Sequence, residues 1–136
     1  MGDDPGDLRV AYITCNDLSE AERIGRALVG ERLAACVNLL PGLRSMYWWQ
    51  GRIEETPEII LIAKTSAANM DAVVARVKSL HSYSTPCVVF LPIVGGNPPF
   101  LDWLRSEMDP AKATAKATAS VKRGPPTATI PAPPPG

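Results

Sequence analysis

Histidine is nearly missing from this chain. His81 is the only one in 136 residues, and the three cysteines, Cys15, Cys36 and Cys87, include no CxxC pair. That excludes a structural zinc finger, which closes a tetrahedron with four Cys or His ligands. An odd cysteine count without paired spacing is also unlike a secreted disulfide framework. Charge of one sign is lacking as well: 14 basic residues balance 14 acidic ones. A neutral chain has no basic footprint for nucleic acid or an anionic membrane, so neither is an expected partner. No apolar run approaches the roughly 18 to 20 residues that span a bilayer, and "MGDDPGDLR" has neither the basic start nor the apolar stretch of a signal peptide. The expectation is a soluble cytoplasmic protein with reduced thiols.

Large apolar residues are also scarce from Asp109 onward, where the chain reads "DPAKATAKATASVKRGPPTATIPAPPPG". Such a segment buries too little surface to offset its ordering entropy. Residues 109–136 are therefore expected to form a disordered tail, with Lys112, Lys116, Lys122 and Arg123 as solubilising charge or as contacts for an acidic partner. Residues 1–7 are read as a flexible N-terminus, which leaves one domain over 8–108.

Inside that domain strand and helix signals alternate. "LRVAYIT" is β-branched and aromatic-rich and stops at Asn16-Asp17, a turn and cap signal. "DLSEAERIGRALVGERL" then places Ala21, Ile24 and Leu28 at helical spacing, with Glu20 and Glu22 near its positive end. "AACVNLLPGLRSMYWW" and "RIEETPEIILIAKT" flank Gln50-Gly51 as a long hairpin, with a bulge expected at Pro41-Gly42 because proline donates no ladder hydrogen bond. The unbroken run Ile59 to Ala63 predicts a strand covered on both faces. "NMDAVVARVKSLHSY" puts Met70, Val73, Val74, Val77 and Leu80 on one helix face, "TPCVVFLPI" is a further strand, and Pro98 opens a last helix. The order β-α-β-β-α-β-α predicts an α+β, ferredoxin-like split βαβ sandwich, one antiparallel sheet with two helices on one face.

The hairpin raises a problem of cover. Arms of roughly 13 residues reach roughly 43 Å, whereas a domain of about 100 residues has a radius of gyration near 13 Å. Tyr47, Trp48 and Trp49 lie at the far end. Either a second copy of the chain covers them or they curl back over the open face of their own sheet.

"ERLAACVN", the turn "WQGRIEE", "KT", "HSY" and "LPIVGG" occur in the order and spacing of the CutA family, the divalent-cation tolerance proteins, which residues 9–106 resemble. The resemblance implies a ferredoxin-like subunit and a homotrimer built by edge pairing of the long hairpins. It also implies an architecture similar to PII-type signalling proteins and a role in handling copper and other divalent metals. Residues implied at the trimer interface are Tyr47, Trp48, Trp49, Gly51 and Trp103. Trp103 and Leu104 also read as packing residues of the last helix.

His81 can offer an imidazole nitrogen to Cu(II) or Zn(II), and Cys15 and Cys36 are soft donors suited to Cu(I) if the fold brings them to it. The family's metal site uses a first-strand thiol and histidines before the tyrosine of H-x-Y. Here His81 matches, while Leu80 stands where some members have a second histidine and Cys87 where many have glutamate. The alternatives are a helix-terminal His81 bonded to backbone or Tyr83, and buried, inert thiols at Cys36 and Cys87. Trp49, Glu54, Lys64 and Tyr83 are candidates for an intersubunit ligand cleft, which a PII-like regulator would use for a small anion or nucleotide. Glu54, Glu55 and Lys64 alternatively form ion pairs between subunits. No catalytic constellation emerges, so an enzyme is not expected: a nucleophilic cysteine would have only His81 as its base.

Overall fold

The computed structural model describes residues 5–112. Four strands, β1 (Leu8–Cys15), β2 (Cys36–Trp49), β3 (Arg52–Ser66) and β4 (Val88–Pro92), alternate with three helices, α1 (Leu18–Gly30), α2 (Met70–Leu80) and α3 (Pro98–Glu107). The sheet has the order β2-β3-β1-β4, and every pairing is antiparallel. This is the ferredoxin-like arrangement expected from the element order.

Alternation along the strands assigns the two faces. Ala11, Ile13 and Cys15 on β1 and Ile59, Leu61 and Ala63 on β3 meet Ile24 and Leu28 of α1 and Val73 and Val77 of α2 in one core. Ile60 and Ile62 point the other way and are only half-buried. The expectation of a strand covered on both faces is corrected here: an antiparallel sheet with its two long helices on one side needs apolar cover on that side alone. α3 lies apart from them, on a second cluster of Leu8, Ala35, Leu101, Leu104 and Met108.

Two local devices shape the hairpin. The register shifts between Leu40 and Leu43, at the expected bulge, where Gly42 has φ 94° and Pro41 has no amide to pair. At the tip, Trp49 pairs with Arg52 across Gln50 (φ 51°) and Gly51 (φ 82°), the backbone of a two-residue type I′ turn. Beyond Ile59 the arm has only β2 as a partner, so residues 52–58 project roughly 23 Å past β1. Gln50 is a poor residue for a left-handed position that asparagine occupies readily. Gln50→Asn should raise stability by roughly 0.5 kcal/mol in urea titration, and a loss would show that the Gln50 side chain itself holds the tip.

The ends extend the folded unit slightly past its expected limits. Pro5–Asp7 forms a 3-10 turn whose Asp7 pairs with Arg105 at 3.2 Å. Pro110–Lys112 forms another, with the Lys112 carbonyl accepting from Arg32 Nε at 3.1 Å. The rest of the expected tail, from residue 113, lies outside the described residues, as do residues 1–4 of the N-terminus.

Candidate functional site

Where β1 enters α1, Asp17 caps the helix by accepting the Glu20 amide at 2.8 Å. Glu20 reaches back and accepts the Asn16 amide at 2.8 Å through Oε2, a capping box closed on the residue before the cap. Its other oxygen accepts the Ser82 amide at 2.7 Å, just past the end of α2. One buried carboxylate thus ties the start of α1 to the end of α2. Burial alone would raise the Glu20 carboxyl, but the Asn16 and Ser82 hydrogen bonds, helped by His81, outweigh it and hold the pKa below the usual range.

His81 follows the last residue of α2 and turns its fully buried ring inward. Nε2 lies 2.8 Å from the Thr14 carbonyl and Nδ1 accepts the Tyr83 amide at 3.1 Å. A carbonyl can only accept and an amide can only donate, so the neutral ring carries its proton on Nε2. Nδ1 also sits 3.6 Å from Glu20 Oε2. Cys15, fully buried beside them, has its thiol pushed up to about 12 by burial first and then by the negative charges of Glu20, Glu58 and Asp17.

Cys15, Glu20 and His81 bring one sulfur, one oxygen and one nitrogen within 4.8 Å of one another, the only such group of three among the described residues. The expected pair of Cys15 and His81 is therefore brought together, with Glu20 as a third member. Its sequence signal was the D-x-x-E spacing of Asp17 and Glu20. Cys36 is not part of the group. It pairs with Lys64 while Cys15 pairs with Ile59, roughly 16 Å along β3, and it packs in the α3 cluster. The expectation of Cys36 as a ligand beside His81 is corrected by that register.

The expected cleft also divides. Trp49, Glu54 and Tyr83 line one groove of about 720 Å³ on the helix-free face, between the curled hairpin and the segment leading into β4. Lys64 does not reach it. It lies roughly 20 Å along β3 from Glu58, beside Asn38 at 3.0 Å and over the Phe100 ring. Glu58, which carried no motif, is buried in the groove floor, accepting the Ser45 hydroxyl at 2.6 Å and the Tyr83 hydroxyl at 2.7 Å. Burial and then that carboxylate raise the Tyr83 phenol above its ordinary pKa.

The hairpin aromatics are not covered within the single chain. Tyr47 and Trp49 line the groove yet stay 39% and 54% exposed, while Trp48 points away and is 72% exposed. Trp103 stacks on Phe100 at 5.9 Å in the α3 cluster. The expectation of buried Cys36 and Cys87 is corrected too: Cys36 is half-buried and Cys87 exposed, because β4 begins only at Val88, after Pro86, at an edge of the sheet.

An antiparallel ferredoxin-like subunit with an overlong hairpin and a Cys-Glu-His group at the β1–α1 junction defines a class of small α+β proteins. The chain belongs to the CutA1 divalent ion tolerance protein family, whose profile matches residues 9–107. It is 43% identical over 100 residues to protein CutA of Mus musculus, and 49% identical over 96 residues to the divalent-cation tolerance protein CutA of Thermus thermophilus. These matches take in 74% and 71% of this chain, and 56% and 93% of the relatives. The chain thus spans little more than half the length of the mouse protein. Among solved structures, CutA of Xylella fastidiosa superposes with a TM-score of 0.74 at 46% identity, covering 76% of this chain and 99% of that one. The Thermus thermophilus protein gives 0.73 at 47%, covering 74% and 97%. No described helix is long and apolar enough to cross a membrane.

Proposed function

We propose that the chain acts as a non-enzymatic, homotrimeric divalent-cation tolerance protein that binds a copper-like or zinc-like cation weakly through Cys15, Glu20 and His81. The convergence of those three donors within 4.8 Å carries the reading. Sulfur, imidazole nitrogen and carboxylate oxygen suit Cu(II) or Zn(II) in type. Tetrahedral ligands at about 2.0–2.3 Å from an ion stand about 3.5 Å apart, so the group would have to tighten to hold one. Binding also competes with protons and hydrogen bonds already in place: the thiol must ionise, and His81 must give up either Thr14 or Tyr83. Weak affinity that rises with pH follows. The same commitments support the non-enzymatic reading, since neither ring nitrogen is free to activate the thiol.

Trimer formation is supported by apolar side chains that a lone subunit leaves in water, among them Trp48, Ile53, Val89, Leu91 and Val94. A cytoplasmic location is supported by three unpaired cysteines, one of them exposed. Calorimetric titration of reduced, metal-free protein with Cu(II) and Zn(II) at two pH values tests the metal reading. His81→Ala should weaken binding at least about tenfold with the oligomeric state unchanged, and equal affinity in variant and parent would sink it.

A further inference from the structure

A neutral imidazole has one nitrogen that donates and one that accepts. In His81 the donor, Nε2, meets the Thr14 carbonyl at 2.8 Å, and the acceptor, Nδ1, is taken by the Tyr83 amide at 3.1 Å. A histidine that holds a metal generally donates its other ring N–H to a carbonyl or carboxylate, as Nε2 does here, so Nδ1 is the nitrogen suited to a cation. It is also the one that faces Glu20, at 3.6 Å. Its single lone pair cannot serve a cation and the Tyr83 amide together. Of the two partners of His81, Tyr83 is the one able to yield. Thr14 lies in β1, paired with Ile60 of β3, whereas residues 81–87 form an irregular segment between α2 and β4.

Tyr83 is held at its far end as well. Its hydroxyl donates to Glu58 Oε2 at 2.7 Å, and the other oxygen of that buried carboxylate accepts the Ser45 hydroxyl at 2.6 Å across the hairpin. Its ring rests on the His81 ring, with centroids 4.7 Å apart. A phenol–carboxylate bond is charge-assisted and stronger than a neutral pair, so it anchors the tyrosine and with it the amide that fills Nδ1. All of these contacts are made within one chain, and none needs an opening in an assembled oligomer. Building on the metal reading above, we propose that Tyr83 is a positioning residue that gates the Cys-Glu-His group: its amide fills the nitrogen a cation needs, and its hydroxyl bond to Glu58 keeps it there. Occupancy of the group and the Tyr83–Glu58 contact therefore oppose each other, and by linkage whatever loosens one favours the other. The hairpin, through Glu58 and Ser45, then sets the affinity of a group on the opposite side of the sheet.

Zn(II), which is diamagnetic, titrated into the reduced, metal-free, full-length protein tests this by calorimetry and by NMR on isotope-labelled tyrosine. The Tyr83 amide signal is the one lost in Tyr83→Phe. That variant keeps the ring and the amide and removes only the hydroxyl, so it should bind Zn(II) about threefold to tenfold more tightly than the parent. Tyr47→Phe removes a phenol of the same face, one whose hydroxyl lies beside Thr56 at 3.5 Å instead, and should leave the affinity unchanged. In the parent, Zn(II) should shift the Tyr83 amide signal saturably and speed its hydrogen exchange, far more than for Tyr12, which is held in the β1 ladder. A purely structural Tyr83 would lose stability on the change to phenylalanine without gaining affinity. Equal or weaker Zn(II) binding by Tyr83→Phe, with His81→Ala still deficient, would overturn the gate and leave the metal reading standing. So would a Tyr83 amide signal unmoved at saturation. Zn(II) binding that His81→Ala does not weaken would overturn both.

Discussion

Changing Trp48 and Ile53 together to glutamate should break the oligomer into monomers or aggregates, with light scattering at micromolar concentration as the readout. The two residues face each other across the β2–β3 ladder and are 72% and 64% exposed in the single chain. They sit on the side of the hairpin opposite Tyr47 and Trp49, so the change spares the groove. An arm that projects past β1 offers both this apolar pair and an open strand edge, and a partner subunit is the cover that removes both from water. Two glutamates buried there without cations would each cost several kcal/mol or be neutralised by a raised pKa, and the symmetry of the proposed trimer would repeat the insult at every interface. The β1, β3 and β4 ladder and the helix core lie away from the tip, so circular dichroism should report a retained fold. An intact oligomer in the double variant would place these side chains outside the interface.

The fold was legible because periodicity carried it. Val73 and Val77 at helical spacing, and β-branched runs bounded by Asn16-Asp17 and Gln50-Gly51, predicted elements that fall within a few residues of those observed. The site was legible only in part, and the reason is reach. His81 and Cys15 lie 66 residues apart in sequence, and only donor chemistry together with the family resemblance named them as partners. Glu20 looked like a residue suited to the helix dipole, because a capping spacing does not reveal that the same carboxylate reaches the Ser82 amide past another helix. Cys36 and Lys64 were misplaced for a related reason. Both lie on strands that also carry site residues, but the period of two and the register decide which face and which end each occupies, and neither is fixed until β3 is aligned on β1.

Removing the Glu20 side chain should be among the most damaging single changes in the subunit. Glu20→Ala leaves the partly buried amides of Asn16 and Ser82 without the charged acceptor each now has at 2.8 and 2.7 Å. Hydrogen bonds to a charged group contribute about 1.5–3 kcal/mol apiece, so the loss should be roughly 3–5 kcal/mol in urea titration at pH 7. Asp17 still caps α1 in this variant, so the loss reports the two bonds of the Glu20 carboxylate, one to the Asn16 amide before α1 and one across to the Ser82 amide after α2. Acid should reproduce part of the effect in the parent. The folded carboxyl is held below its unfolded value of about 4.3. Its contribution is therefore complete above that pH and disappears as the pH falls through the lower folded value. Glu20→Gln, with nothing to titrate at this position, should start less stable at pH 7 and lose less than the parent between pH 5 and strongly acidic conditions, so that the two curves converge. Parallel curves would mean that another carboxylate governs the acid limb. A Glu20→Ala variant within about 0.5 kcal/mol of the parent, the size of an ordinary surface change, would show that the end of α2 is held by His81 and the core beneath it without this bridge.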